Sequence, residues 1–404
     1  MIIIGASHAG VQLAAKTREL GYQEPITLIN GEPGLPYQKP PLSKAFLLGK
    51  IDEGDLALRS ERFFADAGIN LLPEKRCVGI DRTAKTVAFS DGARLRYETL
   101  ALATGARART LPASFGKIPS GVLSLRTIED ARFVRTAVAS ARRIVVVGGG
   151  FIGLEVASAL TTIGCQVALV EFQPRLLARS CSPEVADAIE GLHRSAGIEL
   201  HLQAGLAEIH ACSERLERVT LTNGLELEAD MLLFGIGAVP NIELAADAGL
   251  PCDNGILVDQ FCRTADPHIL AVGDCTSFPS HQLRIPIRLE CIQNAHDQAA
   301  TAAATLVGRS SPYVSAPWFW SDQHDCKFQM VGFLDRVDRT IRRDGEDGAF
   351  SLWHFAEKRL HAVETINRPG EHLLARQLIA RDRLPTPEQV ADPAFNLRMV
   401  LTPA

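Results

Sequence analysis

The spacing Gly148-Gly149-Gly150-Phe151-Ile152-Gly153 is the feature of this sequence that most plainly carries chemistry. It follows the apolar triplet Val145-Val146-Val147 and precedes an alanine- and leucine-rich stretch ending at Gly164, so it reads as strand, tight turn, helix. A helix N-terminus offers unpaired N–H groups and a partial positive charge, and glycines let a diphosphate approach the backbone that presents them. The next apolar run, 167–170, leads directly to Glu171. A carboxylate there accepts a hydrogen bond from an adenosine ribose 2′-hydroxyl and repels a 2′-phosphate, which favours NADH over NADPH; the neighbouring Arg175 argues the other way. A turn that only packs helix on strand is the alternative reading.

The pattern occurs twice. Ile2-Ile3-Ile4-Gly5-Ala6-Ser7-His8-Ala9-Gly10 overlays Val145 to Gly153, triplet on triplet and glycine on glycine at the first and last loop positions. Gly21 follows Gly10 at the distance at which Gly164 follows Gly153, and each leads into a short apolar strand, here Ile26–Ile29. The first copy is degenerate, with Ser7 in the middle and Asn30-Gly31-Glu32 after the second strand, which makes Glu32 its ribose candidate. A nucleophile elbow at Gly5 to Ala9 is rejected, because a second nucleotide loop is present and no H-G-G-G oxyanion segment is. Two dinucleotide sites imply a flavin nucleotide and a nicotinamide nucleotide, between which hydride transfer needs positioning more than acid–base catalysis.

The elements around these loops bound the rest. At 404 residues the chain has room for two or three domains. Its 42 basic and 47 acidic residues leave a charge of −5, against a nucleic-acid binder that works by bulk positive charge. The longest apolar stretch, 144–154, is short and glycine-interrupted, and no basic run precedes the first apolar residues, so the expectation is a cytoplasmic protein without membrane span or secretory signal. Nine scattered cysteines without a C-x-x-C pair, and histidines without H-x-x-x-H spacing, predict reduced thiols, no redox disulfide and no metal. Apolar runs ending in glycine at 100–105 and 232–237 read as buried strands entering and leaving an inserted unit. A third marker, 264–274, is followed by an alanine-rich helix from about 294 to 307. From Tyr313 on, all three tryptophans cluster, and alternation in 327–333 and 349–355 suggests antiparallel strands.

With these features the sequence resembles, nearly end to end, the NADH-dependent, FAD-containing ferredoxin reductases of bacterial oxygenase systems. The resemblance is carried by Pro36-Tyr37-Gln38-Lys39-Pro40-Pro41-Leu42-Ser43-Lys44, Ala103-Thr104-Gly105, Leu125-Arg126-Thr127, the run from Gly148 to Glu155, Gly273-Asp274-Cys275 and, most specifically, Pro317-Trp318-Phe319-Trp320-Ser321-Asp322-Gln323. Lys39 stands where arginine is usual and Gly31 where aspartate is common. The fold implied is α/β, glutathione-reductase-like: two doubly wound dinucleotide-binding domains and an α+β C-terminal domain. The expected boundaries are 1–107 with 238–312 for FAD, 108–237 for NAD and 313–404 for the last domain.

Residue by residue, the resemblance places Gly5, Ser7, Ala9, Gly10, Glu32, Lys39, Pro40, Lys44, Val78, Ala103, Thr104, Gly105, Arg126, Gly273, Asp274, Glu290, Ile292 and Trp320 at FAD. It places Gly148, Gly150, Phe151, Ile152, Gly153, Glu155, Glu171 and Gly237 at NADH. Asp274 would accept from ribityl hydroxyls, and the helix starting near Asn294 would aim its positive end at the flavin pyrimidine. Lys44 and Glu155 are expected to form a buried ion pair near flavin N5, with Trp320 close by. The plainer alternatives are a first-turn acid for Glu155, a solvated Lys44 and a core tryptophan. The implied activity is hydride transfer from NADH to the flavin and one-electron delivery to a two-iron, two-sulfur ferredoxin that serves a terminal oxygenase, a cytochrome of the P-450 type or a ring-hydroxylating dioxygenase. The rivals are an NADH oxidase on the same scaffold and a flavin-binding NADH sensor resembling apoptosis-inducing factor. The charged run 335–344, with Arg336, Arg339, Arg342 and Arg343, is a candidate ferredoxin-docking rim.

Overall fold

The structure, a computed structural model, describes residues 1–314 and 316–402. The chain divides into two compact units, one of Met1–Gln38, Glu53–Arg107 and Val239–Pro317, the other of Lys39–Asp52, Ala108–Ala238 and Trp318–Ala404.

In the first unit the Ile2-Ile3-Ile4 triplet becomes the middle strand of a five-stranded parallel sheet. The strand order is Ile269–Ala271, Leu100–Leu102, Ile2–Ile4, Ile26–Ile29, Ile69–Leu72. Side chains alternate between faces along a strand. Ile3, Leu28, Ala101 and Leu270 pack with Leu13 and Ala14 of the helix His8–Glu19 and Ala299 of the helix Ile292–Leu306. Ile2, Ile4, Leu100 and Leu102 pack on the opposite side with Val87 and Phe89. Both faces are dry, which is why these strands read as unbroken apolar runs.

The second unit repeats the design. Its parallel sheet runs Glu199–Leu202, Gln166–Glu171, Arg143–Val147, Met231–Phe234, Val122–Leu123. Ile144 and Val146 pack with Leu154 and Leu160 of the helix Phe151–Ile163, while Val145 and Val147 pack with Val219 and Leu221 on the other face. In each unit the third parallel strand is followed by a three-stranded antiparallel meander, Cys77–Asp81, Thr86–Phe89, Arg94–Arg96 in one and Leu206–Cys212, Arg215–Leu221, Glu226–Glu228 in the other. The repeat therefore runs from Ile2 to Leu102 and from Arg143 to Phe234, far beyond the loops that reveal it.

The tryptophan-rich segment folds as a five-stranded antiparallel sheet ordered Trp318–Gln323, Cys326–Gly332, Arg359–Ile366, Phe350–Ala356, Arg339–Asp344. The alternation seen in sequence suggests strands with one wet face, but all 7 residues of Phe350–Ala356 are buried. The helix Pro369–Ala380 packs on this sheet, and Phe350, Leu352 and Phe328 join the core of the helix Phe151–Ile163. Its buried polar groups pair locally: Trp353 Nε1 donates to Ser351 Oγ at 2.9 Å, and His354 Nε2 meets the Glu364 carboxylate at 2.8 Å. Among the described residues no helix is long and apolar enough to cross a membrane, and no cluster of His, Cys, Asp or Glu is placed to hold a metal ion.

Two predictions follow from this packing. A Cβ on Gly153 would lie 2.0 Å from the Gly148 carbonyl oxygen, whereas one on Gly150 meets nothing. Gly153→Ala should lower the thermal midpoint by about 5 °C or more and Gly150→Ala by about 1 °C or less, measured by calorimetry. Burial holds the His193 imidazole down at about 4, and burial, helped by the Arg376 charge, holds His372 at about 4. Both rings protonate near 6.5 once unfolded, so stability is complete above that pH and is lost as the medium acidifies toward 4. Between pH 7.5 and 5.5 each should remove about 1 kcal/mol, and His372→Leu should flatten the pH dependence of denaturant unfolding by that share. A pH-independent midpoint over this interval would sink the argument.

Candidate functional site

The two glycine loops use their glycines for the same steric purpose. Gly148 has φ +112° and Gly5 φ +107°. A Cβ on Gly148 would lie 2.4 Å from the Gly235 carbonyl oxygen, and one on Gly5 would lie 2.1 Å from that of Ala103. At the start of each helix a Cβ on Gly153 or Gly10 would strike the carbonyl oxygen of Gly148 or Gly5, at 2.0 and 1.9 Å. Strand end, turn and helix therefore touch backbone to backbone, and the first helical N–H groups face outward. Neither Ser7 nor Gly150 caps its helix with a side chain, and neither does Cys291 ahead of Ile292–Leu306. By contrast Ser60, Thr127, Ser182 and Thr386 cap theirs. The three helices assigned to nucleotides thus keep donors that a diphosphate or a flavin carbonyl can take up.

At the second loop Glu171 holds the turn. Its Oε2 accepts from Gly149 N at 2.6 Å and its Oε1 from Gln173 N at 2.7 Å. The Arg175 guanidinium donates to the carbonyls of Ala178 and Cys181 at 2.9 and 3.0 Å, so it is committed to its own loop rather than to a 2′-phosphate. Ile152 is exposed and Gly237, at φ +103°, lies open. Phe151 is half-buried, and its ring packs on Phe319 and Phe328, at 4.8 and 5.9 Å between centroids.

At the first loop Ala9 is buried, and a Cβ on Gly273 would sit 2.9 Å from the Ala9 methyl, which brings the Gly273-Asp274 turn against the helix start. Gly273 N donates to Gln298 Oε1 at 2.7 Å, and Asp274 follows half-buried. Glu32 stands beyond the second strand, where Tyr37 donates its hydroxyl to Oε2 at 2.5 Å and Glu32 N donates to Asn30 Oδ1. Thr104 Oγ1 donates to the Asn241 carbonyl at 2.6 Å, and Asn241 returns a bond to the Thr104 carbonyl at 2.8 Å, fixing the Ala103-Thr104-Gly105 turn. Val78 is exposed on its strand, Glu290 is ion-paired with Arg288, and Ile292 opens its helix.

The remaining assigned residues lie in the second unit. Lys39 Nζ is 3.5 Å from the Arg126 carbonyl, and Pro40 begins a single 3-10 turn that ends at Ser43. Lys44 follows, and its Nζ lies 2.7 Å from Oε2 of Glu155, so the expected ion pair forms. Glu155 is 4% exposed. Ser43 Oγ donates to the same oxygen at 2.6 Å and Ser321 Oγ to Oε1 at 2.8 Å, two partners that sequence reading passed over although both sit inside the motifs it singled out. Trp320 stacks on Trp318, 5.8 Å between centroids. Strand alternation puts Trp320 on the face away from Ser321, so the structure does not bring it to Glu155. The arginines of 335–344 are mostly committed: Arg339 pairs with Glu388, Arg342 with Glu184 and Asp344, and Arg343 donates to the carbonyls of Val390 and Asp392. Arg336 is the most exposed of the four, 3.9 Å from Asp335, while Arg339 and Arg342 are exposed but paired, and the strand Arg339–Asp344 forms the edge of its sheet.

Two glycine turns of the same steric design, each at the end of a parallel strand and the start of a helix, are the frame of a protein that binds two dinucleotides. Residues 1–299 match the family model described as pyridine nucleotide-disulphide oxidoreductase, and residues 318–401 match the one described as reductase C-terminal. The chain belongs to the pyridine nucleotide-disulphide oxidoreductases. It is 43% identical over 402 residues to rhodocoxin reductase of Rhodococcus erythropolis, covering 99% of this chain and 94% of that one. It matches the crystal structure of a ferredoxin reductase from Rhodopseudomonas palustris with TM-score 0.95, 41% identity and 99% coverage of both chains. With putidaredoxin reductase in its covalent putidaredoxin complex the TM-score is 0.95 at 36% identity, over 99% of this chain and 97% of that one. Despite the family's name, all nine cysteines here are free thiols. Burial pushes Cys181 up to about 12 and Cys326 up to about 11, so neither is a thiolate at neutral pH.

Glu171→Ala should therefore do two things at once, freeing Gly149 N–H and removing the acceptor for a ribose hydroxyl. The kcat/KM ratio of NADH over NADPH should fall by about tenfold or more, read by steady-state kinetics with both nucleotides. An unchanged ratio would show that the carboxylate serves the turn alone.

Proposed function

We propose that this chain is a cytoplasmic, FAD-containing, NADH-dependent ferredoxin reductase. The observation that carries the reading is that both glycine cradles, the Lys44–Glu155 ion pair and the C-terminal sheet occur together in one chain whose relatives, similar from end to end, are named as reductases of small electron carriers. The cradles fit two dinucleotides: each would be closed by a single Cβ, and each keeps its helical donors uncapped. FAD, when bound, supplies the conversion between the hydride of NADH and the single electrons that an iron–sulfur protein accepts.

The chain's own contribution is binding and orientation. The loop from Gly5 to Gly10 and Glu32 hold the diphosphate and adenosine ribose of FAD. Asp274 would accept from its ribityl hydroxyls, and the uncapped start of the helix Ile292–Leu306 would supply partial positive charge to the flavin. The loop from Gly148 to Gly153 and Glu171 hold NADH, whose 2′-hydroxyl the carboxylate accepts. Lys44 and Glu155 would keep a fixed ammonium and carboxylate for the reacting rings, and Trp320, stacked on Trp318 on the other face of its strand, would contribute an aromatic surface separate from that pair. The partner in this reading is a two-iron, two-sulfur ferredoxin, and through it a terminal oxygenase; relatives similar from end to end are named as reductases of a ferredoxin or of putidaredoxin. Thiol-based oxidase chemistry is disfavoured because the stretch where such an enzyme carries its redox cysteine reads Leu42-Ser43-Lys44, and the first cysteine of the chain is Cys77.

The deciding experiment mixes the FAD-loaded protein anaerobically with NADH, then with a panel of two-iron, two-sulfur ferredoxins, following flavin absorbance. Rapid bleaching by NADH and reoxidation by at least one ferredoxin are expected. Bleaching that only oxygen or peroxide reverses would overturn the reading.

A further inference from the structure

The Glu155 carboxylate is the end of a buried hydrogen-bond chain that starts outside the nucleotide loops. His193 Nε2 lies 2.8 Å from Gln323 Oε1, Gln323 Nε2 lies 3.0 Å from Ser321 Oγ, and Ser321 Oγ lies 2.8 Å from Glu155 Oε1. His193, Ser321, Gln323 and Glu155 are 0, 0, 1 and 4% exposed. The Lys44 ammonium and the Ser43 hydroxyl both sit on the other oxygen, Oε2. We propose that Ser321, Gln323 and His193 are positioning residues, which lock the orientation of Glu155 and, through it, of Lys44 for flavin reduction by NADH; this rests on the placement of that ion pair beside the flavin given above.

The chain runs one way. A carboxylate paired with an ammonium only accepts, so Ser321 must give its single proton to Glu155 and can receive only from the Gln323 amide N–H. That fixes the Gln323 amide with its oxygen toward His193, which must then carry its proton on Nε2. His193 Nδ1 has no hydrogen-bond partner, and burial holds the ring neutral, so the far end of the chain donates a hydrogen bond without bringing a second charge. With Oε1 occupied by Ser321, the carboxylate cannot turn about its last bond, and Oε2 alone is left for Lys44.

The register of two elements keeps Ser321 opposite Glu155. Phe151 and Glu155 are one helical turn apart, about 6 Å, and Phe319 and Ser321 are two strand residues apart, about 6.7 Å. Phe151 packs on Phe319, Glu155 bonds Ser321, and further along Ser158 Oγ accepts from His324 N at 2.6 Å. Four polar side chains in a dry interface cost more than apolar ones of the same shape, and what they provide in exchange is a single fixed arrangement.

The test compares Ser321→Ala, Gln323→Leu and the hydroxyl-retaining Ser321→Thr in the FAD-loaded protein. Stopped-flow reduction by NADH should show the limiting rate down by about five- to tenfold in the first two, with apparent NADH affinity within about twofold. The double variant should be no slower than either single one, because one chain is being cut twice. Ser321→Thr should reduce at nearly the original rate. Independently of turnover, nitrogen-15 spectra of histidine-labelled protein should show His193, assigned with His193→Gln, as the Nε2–H tautomer, and Gln323→Leu should abolish that signature. An unchanged limiting rate in folded Ser321→Ala, additive losses, or an Nδ1–H tautomer would each overturn the proposal. A parent protein that NADH does not reduce would overturn the reductase reading instead, and the nitrogen spectrum would still decide the direction of the chain.

Discussion

Backbone contact without an intervening side chain is the constraint on which both halves of this protein depend. At Gly5 and Gly10, and again at Gly148 and Gly153, helix, turn and neighbouring strand approach until a single methyl would meet a carbonyl oxygen at about 2 Å. Only that approach turns the first N–H groups of a helix outward at the end of a parallel strand, where their partial charge is available to a diphosphate. The absence of side-chain caps at these helices belongs to the same design: an internal acceptor would occupy the donors that the ligand needs.

The helix that begins at the second loop does more than present donors. Its inward face carries Phe151, Glu155 and Ser158 at the spacing of successive turns, and each meets a residue of the strand Trp318–Gln323 or of the turn after it. A nucleotide-binding helix is thereby keyed to the C-terminal sheet by one aromatic contact and two hydrogen bonds. The segment Lys39–Asp52 is keyed to the same helix through Ser43 and Lys44. Glu155 is the junction of three segments distant in sequence. Its burial is tolerable because each carboxylate oxygen is matched by donors and the charge is matched by Lys44.

Much of this was legible beforehand. The duplicated triplet-and-glycine pattern located both sheets, both loops and the order of elements in them, because parallel strands buried on two faces leave apolar runs and because the steric demand for glycine admits no substitute. The Lys44–Glu155 pair was reached through resemblance, and its geometry agrees with that expectation. The meanders following the third strands went unread, since their exposed alternate residues look like ordinary polar loops. The ring contacts of Phe151 with Phe319 and Phe328, the carbonyls that hold Arg175, and the carboxylates of Glu388 and Glu184 that reach Arg339 and Arg342 from far along the chain were not legible.

The amino-acid sequence alone therefore determined that the chain builds the same nucleotide cradle twice and joins a sheet of different texture to it, because glycine spacing and apolar periodicity are local properties of the chain. Only the tertiary structure decided which polar side chains meet. The chain from His193 through Gln323 and Ser321 to Glu155, and the pairing of Arg339 with Glu388 and of Arg342 with Glu184, depend on the register between elements far apart in sequence, and register is set by packing that no local pattern records.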